Sequence, residues 1–102
     1  MNGDYVLTLL AEDDLNDAWD YAAENFGFDV ADAVLEALES AFGRLAQHPE
    51  IGRVRENVVP RPYAFWRVGP AWVVYRNDLR PIQIVRVIRT ERDRTALSTI
   101  ED

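Results

Sequence analysis

A change of hydrophobic period near the middle of the chain limits its fold more than any other feature. From Ala11 to Leu45 apolar residues return at helical spacing, whereas from Tyr63 to Ile88 they come in short aromatic and β-branched runs. Leu15, Ala18, Trp19, Ala22 and Phe26 form one stripe, which Gly27 ends as a glycine past a helix C-terminus would. Ala31, Val34, Leu35, Leu38, Ala41, Phe42 and Leu45 form a second, stopped by Pro49 just beyond His48. Thr8 is placed to cap the first helix and Asp29 the second. A link of about two to four residues makes the pair an antiparallel hairpin. Asp4-Tyr-Val-Leu-Thr-Leu9, residues 4–9, read as a strand before the helices.

The strand half can be given a register. Gly69-Pro70 suits a two-residue type II′ turn, with glycine at the position of positive φ and proline after it. That turn sets 68 opposite 71, 67 opposite 72, 65 opposite 74 and 63 opposite 76. One face then carries Tyr63, Phe65, Arg67, Trp72, Val74 and Arg76. The other carries Ala64, Trp66, Val68, Ala71, Val73 and Tyr75, and is apolar enough to receive the hairpin. A five-residue loop at 77–81 leads to the last strand and places Arg86 opposite Trp72, in line with Arg67. The fold expected is α+β, one domain over residues 1–102, with a helical hairpin on a small, mostly antiparallel sheet. Trp19, Leu35, Leu38, Phe42, Trp66 and Val73 are expected in its core.

Charge follows the same division. Residues 1–50 hold twelve acids and a single base, Arg44, while residues 51–102 hold ten arginines and six acids. The net charge of −7 is therefore a sum over two unlike halves. Asp13, Asp17, Asp20 and Glu24 on the first helix, and Asp29, Asp32, Glu36 and Glu39 on the second, recur at helical spacing and read as solvated outer faces. The arginines gather where the strands lie, and a dipolar surface of this kind steers an acidic partner to one end.

Catalytic patterns are sparse. There is no cysteine, and the one histidine, His48, reads as a residue at a helix C-terminus near the negative end of the dipole. Neither Ser40 nor Ser98 lies in a glycine-flanked elbow, and the five glycines form no phosphate loop. Arginine stays protonated and is a poor general acid or base. No catalytic, cofactor-binding or metal-ligating residues are assigned. No apolar run is long enough for a membrane span and no secretory leader is visible, so a cytoplasmic protein is expected.

Three segments carry a family resemblance. Ala11-Glu-Asp-Asp14-Leu15, then Trp19, Tyr21 and Phe26-Gly27, resembles the opening of the ParE toxins of type II toxin–antitoxin modules. Leu45-Ala-Gln-His48-Pro49-Glu-Ile51-Gly52-Arg53 is similar to the segment joining their helices to their sheet. Tyr75-Arg76, Ile84-Val-Arg86-Val-Ile88 and Arg92-Asp93 resemble their closing pattern, so the likeness spans about residues 5–94. It implies the RelE/ParE fold, inhibition of DNA gyrase by binding rather than by enzymatic turnover, and a ParD-like cognate antitoxin held in a hetero-oligomer. The related RelE branch cleaves messenger RNA on the ribosome and uses a late Tyr or His; residues 89–95 here contain neither. A RelE-type endoribonuclease and a non-toxic antitoxin-binding relative are the alternatives. Arg53, Arg61, Arg67, Arg76, Arg86, Arg89 and Arg92 are the candidate contacts to target or antitoxin.

Overall fold

Thr8 has the side chain that a helix N-terminus needs, and the structure uses it twice. In the computed structural model, which describes residues 5–54 and 62–89, Thr8 Oγ1 accepts a hydrogen bond of 3.0 Å from Ala11 N. The same hydroxyl donates to the Val85 carbonyl at 2.9 Å, tying the start of the helix to a strand far along the chain. Before it lies β1 (Tyr5–Leu7); after it run α1 (Leu9–Phe26) and α2 (Phe28–Gln47).

Only Gly27 separates the two helices. Its φ of 97° lies in a region that favours glycine, and it turns the chain within one residue. The expected two-to-four-residue link and the Asp29 cap are thereby corrected. Gly27 is the N-cap, no side chain caps α2, and Asp29 falls in its first turn. His48 is the C-cap of α2, as its position suggested, and a 3₁₀ turn (Pro49–Ile51) follows.

Three strands complete the fold: β2 (Tyr63–Val68), β3 (Ala71–Arg76) and β4 (Ile82–Arg89). The sheet order is β1-β4-β3-β2, with β1 parallel to β4 and the other pairs antiparallel. The β2–β3 register matches the one read from the sequence, and Gly69 has the positive φ, 55°, that the turn requires. The hairpin packs on the expected face. Leu38, Phe42 and Leu45 of α2, with Ala11 and Leu15 of α1, meet Ala64, Ala71, Val73, Tyr75, Ile82, Ile84 and Val87. Leu35 and Trp66 pack at the margin of this core. Trp19 does not belong to it: its ring stacks on Phe28 at 5.7 Å and its Nε1 donates to Asp32.

The β3–β4 register differs from expectation. Tyr75 faces Ile84, but Val74 faces Arg86, so Val85 has no partner on β3 and β4 carries a bulge. The extra residue reverses the alternation of side chains. Ile82, Ile84 and Val87 all reach the core under the helices, whereas Ile88 joins Phe65 and Val74 on the opposite face. Trp72 therefore faces Ile88, not Arg86. An alternation rule applied to a regular strand has no means of finding such an insertion.

Tyr75 is fully buried and fixes the entry to the sheet. Its hydroxyl donates to the Pro49 carbonyl at 2.6 Å and accepts from Gly52 N at 3.0 Å. A Cβ at position 52 would collide with that hydroxyl. The His48-Pro49-x-x-Gly52 element is thus a clamp on one tyrosine. Burial above all raises the Tyr75 pKa above its ordinary 10.0; the negative charge of Glu50 also raises it, while the bond from Gly52 opposes the shift. The native state then keeps a proton that the unfolded chain releases, so stability falls as pH rises above about 10. Tyr75→Phe should remove this contribution and lower stability at neutral pH by about 1–3 kcal/mol. Gly52→Ala should destabilise by a similar or larger amount, about 2 kcal/mol or more. Thermal melts of the three proteins at pH 7 and above pH 10 measure both effects.

Candidate functional site

Strand register, and in β4 the bulge, decide where the candidate arginines point. Arg53 and Phe65 exchange two backbone hydrogen bonds of 2.8 Å, so the Arg53 side chain shares the face of Phe65, the side away from the helices. Arg67 and Arg76 lie on the same face. Arg67 is exposed, with its guanidinium 5.3 Å from the Trp72 ring centroid and its Nε bonded to the Gly69 carbonyl at 2.7 Å. Arg76 makes a two-point contact with Asp78, 3.1 and 2.8 Å, which holds the Asp78 carboxyl below its ordinary pKa. Phe65, Val74 and Ile88 are buried beneath this surface, so it is an apolar sheet face edged with arginine.

Arg86 and Arg89 belong to the opposite side. Ahead of β4's regular C-terminal stretch, the bulge turns Arg86 toward α1. There its Nε and Nη2 meet the two oxygens of Asp14 at 2.8 and 3.1 Å. Asp14 Oδ2 also accepts from Val87 N at 2.8 Å. Only 22% of the Arg86 side chain and 13% of the Asp14 side chain is exposed. The contact with Asp14 raises the Arg86 pKa still further, so its charge is permanent. The Arg89 guanidinium lies 3.6 Å from the centroid of the Tyr21 ring. The expected single line of Arg67, Trp72 and Arg86 is therefore corrected to two separate groups on two sides of the sheet. Arg61 and Arg92 lie outside the described residues.

Arg86 and Arg89 border a groove of about 430 Å³. Its walls are small or apolar residues of both helices, among them Ala18, Ala22, Val34, Ala37 and Leu38. The β2–β3 turn and the end of β4 close it with Val68, Pro70, Val87 and Ile88. At the hairpin tip Tyr21, Phe26 and Val30 continue the apolar surface into solvent, with Phe26 64% exposed. The eight acids of the two helical stripes are exposed, as expected. Asp14 escaped the reading from sequence because it stands among neighbouring acids. The available signal was its position beside Ala11, Leu15 and Ala18, on the buried stripe rather than the wet one.

Among the described residues, no group of three or more His, Asp or Glu side chains could hold a metal ion, and no helix is long and apolar enough to cross a membrane. Asp14 spends both oxygens on Arg86 and Val87, an arrangement suited to holding two elements together. Replacing Asp14 with alanine strands a partly buried guanidinium and a backbone N–H. Asp14→Ala should lower stability by about 1–3 kcal/mol in urea denaturation, whereas Asp17→Ala, on the wet stripe, should change it by less than about 0.5 kcal/mol.

Comparison with known proteins places these features in a family. The family model described as "ParE toxin of type II toxin-antitoxin system, parDE" matches residues 5–94. The chain is 31% identical over 94 residues to Toxin ParE1 of Mycobacterium tuberculosis strain H37Rv, covering 91% of this chain and 95% of that protein. It is 34% identical over 86 residues to Toxin ParE3 of Caulobacter vibrioides, covering 84% and 85%. Its fold matches a chain of the solved structure of a "Chromosomal ParDE TA system from P. aeruginosa" with a TM-score of 0.73 at 23% identity, over 83% of this chain and 92% of that one.

Proposed function

The chain belongs to the ParE toxins of type II toxin–antitoxin systems, within the RelE/ParE superfamily, and from that premise we propose that it inhibits DNA gyrase by binding and is neutralised by a cognate antitoxin seated in the groove. The groove carries the antitoxin half of this reading. It is open and apolar, it is walled by two helices and a sheet end, and it runs into exposed apolar residues at the hairpin tip. A surface of that shape suits the apolar face of an amphipathic helix, which a disordered tail forms as it binds. A neutralising partner is also in keeping with the similar P. aeruginosa structure, which is of a ParDE toxin–antitoxin system.

The gyrase half rests on family membership and on the outer sheet face. Arg53, Arg67 and Arg76 offer cations around Trp72 and Tyr63, a surface for an acidic protein or the DNA that gyrase holds. Exposed Arg67 beside half-buried Trp72 favours a second reading. Stacking aromatics beside a cation also suit single-stranded RNA, as a RelE-type endoribonuclease requires. Among the described residues, Arg67 contacts the Gly69 carbonyl and Trp72 and no proton carrier, which supports the binding mechanism over the enzymatic one.

Expression without antitoxin should arrest growth, inhibit supercoiling and accumulate cleaved DNA while messenger RNA stays intact. Cleavage of messenger RNA on translating ribosomes would establish the RelE-type reading instead, and unaffected growth a non-toxic relative. Replacing Arg53 and Arg67 together with alanine should abolish toxicity and leave the melting temperature within a few degrees, since both are exposed. For the groove, Ala37→Trp places a large ring in it from an exposed helical position. It should weaken antitoxin binding at least tenfold, measured by titration of purified toxin, without loss of helix content.

A further inference from the structure

Arg86 lines a mostly apolar groove, on which Asp14, Asp17, Tyr21 and Arg89 are the other polar residues, and it has hydrogen-bonding capacity to spare. A guanidinium has five N–H groups in a fixed plane. Asp14 takes one from Nε and one from Nη2, while Nη1 has no partner among the described residues. In the free toxin, water reaches the 22% of the side chain that remains exposed and serves these donors. A partner lying over Ala18, Ala22 and Val87 excludes that water; these residues have no side-chain acceptor to replace it, and the hydrogen bonds of Arg86 go to Asp14 rather than to Asp17 or Tyr21, which also line the groove. The guanidinium cannot shed its charge, and Asp14 fixes its plane, so it cannot swing away.

Resting on the reading that the groove takes the antitoxin, we propose that Arg86 is its specificity-determining residue. It admits only a helical segment that places one carboxylate or amide oxygen against Nη1 within an otherwise apolar face. The requirement is negative as well as positive. A segment with only aliphatic residues there buries unanswered donors and is rejected, although its apolar fit is as good. Asp14 acts through Arg86 as a positioning residue. Val87 N also donates to Oδ2, the oxygen that Arg86 Nε contacts, so the fork stands in one orientation before the partner arrives.

The test is a set of double-mutant cycles between intact toxin and intact antitoxin. The toxin variants are Arg86→Met and Arg86→Lys, and each Asp, Glu, Asn and Gln in the antitoxin's toxin-binding segment is replaced singly by alanine. One antitoxin substitution should weaken binding to the unaltered toxin roughly 10- to 100-fold yet have an effect of less than about threefold against Arg86→Met. Arg86→Lys, which keeps the charge but loses the planar fork, should show reduced coupling to the same position, and it carries the test if Arg86→Met does not fold. Equal losses against all toxin variants for every substitution would overturn the proposal. Ala37→Trp separates the two levels of inference. Abolished binding by Ala37→Trp without any coupling to Arg86 removes the proposal alone, whereas undiminished binding by Ala37→Trp removes the groove reading beneath it.

Discussion

One extra residue in β4 organises this molecule, through the way α1 accommodates it. A bulge leaves backbone groups without ladder partners, and buried groups of that kind must find others. The Val85 carbonyl is taken by the Thr8 hydroxyl and the Val87 N–H by the Asp14 carboxylate, both from α1 and its cap. The helix is fastened to the sheet at its cap and again almost two turns later. Arg86, released from regular alternation, completes the second fastening and turns into the groove. Without the insertion, alternation would continue regularly from Ile84, and the outward direction now taken by Ile88 would fall to a different residue.

Features that depend on short-range pattern were legible in the sequence. Helical stripes, the Thr8 cap, the Gly69-Pro70 turn and the acidic outer faces follow from spacing and from the chemistry of a few residues, and each stands where it was read. The departures concern single residues whose placement is decided at long range. Asp14 and Val87 are 73 positions apart, and nothing near either announces the contact. Asp29 has the right chemistry for a cap, but Gly27 turns the chain too soon for it to be used. Trp19 lies on an apolar stripe yet finds its stacking partner, Phe28, on the next helix.

The family-like motifs also divide by role once their contacts are known. Pro49 and Gly52 grip the hydroxyl of Tyr75, so the most distinctive short element is a fastening of the chain to its sheet. The opening segment contributes Asp14 and the closing one Arg86, which meet at the groove. These residues hold one another in pairs, Asp14 with Arg86 across 72 positions and Gly52 with Tyr75 across 23. The arginine-rich half is accordingly less uniform than its composition implies. Part of it faces outward around Trp72, and part is bound into the contact with α1.

The single-residue link at Gly27 has a consequence for the order of assembly. Two helices joined so closely share only local contacts and can pair as soon as both have been synthesised, in keeping with the speed of low-contact-order structure. The groove cannot form at that stage, because its far wall is supplied by Arg86 to Arg89 at the end of the last strand. A nascent chain therefore carries its exposed hairpin tip long before it has the groove. Completion of β4 supplies the last strand of the described sheet and closes the groove in the same step.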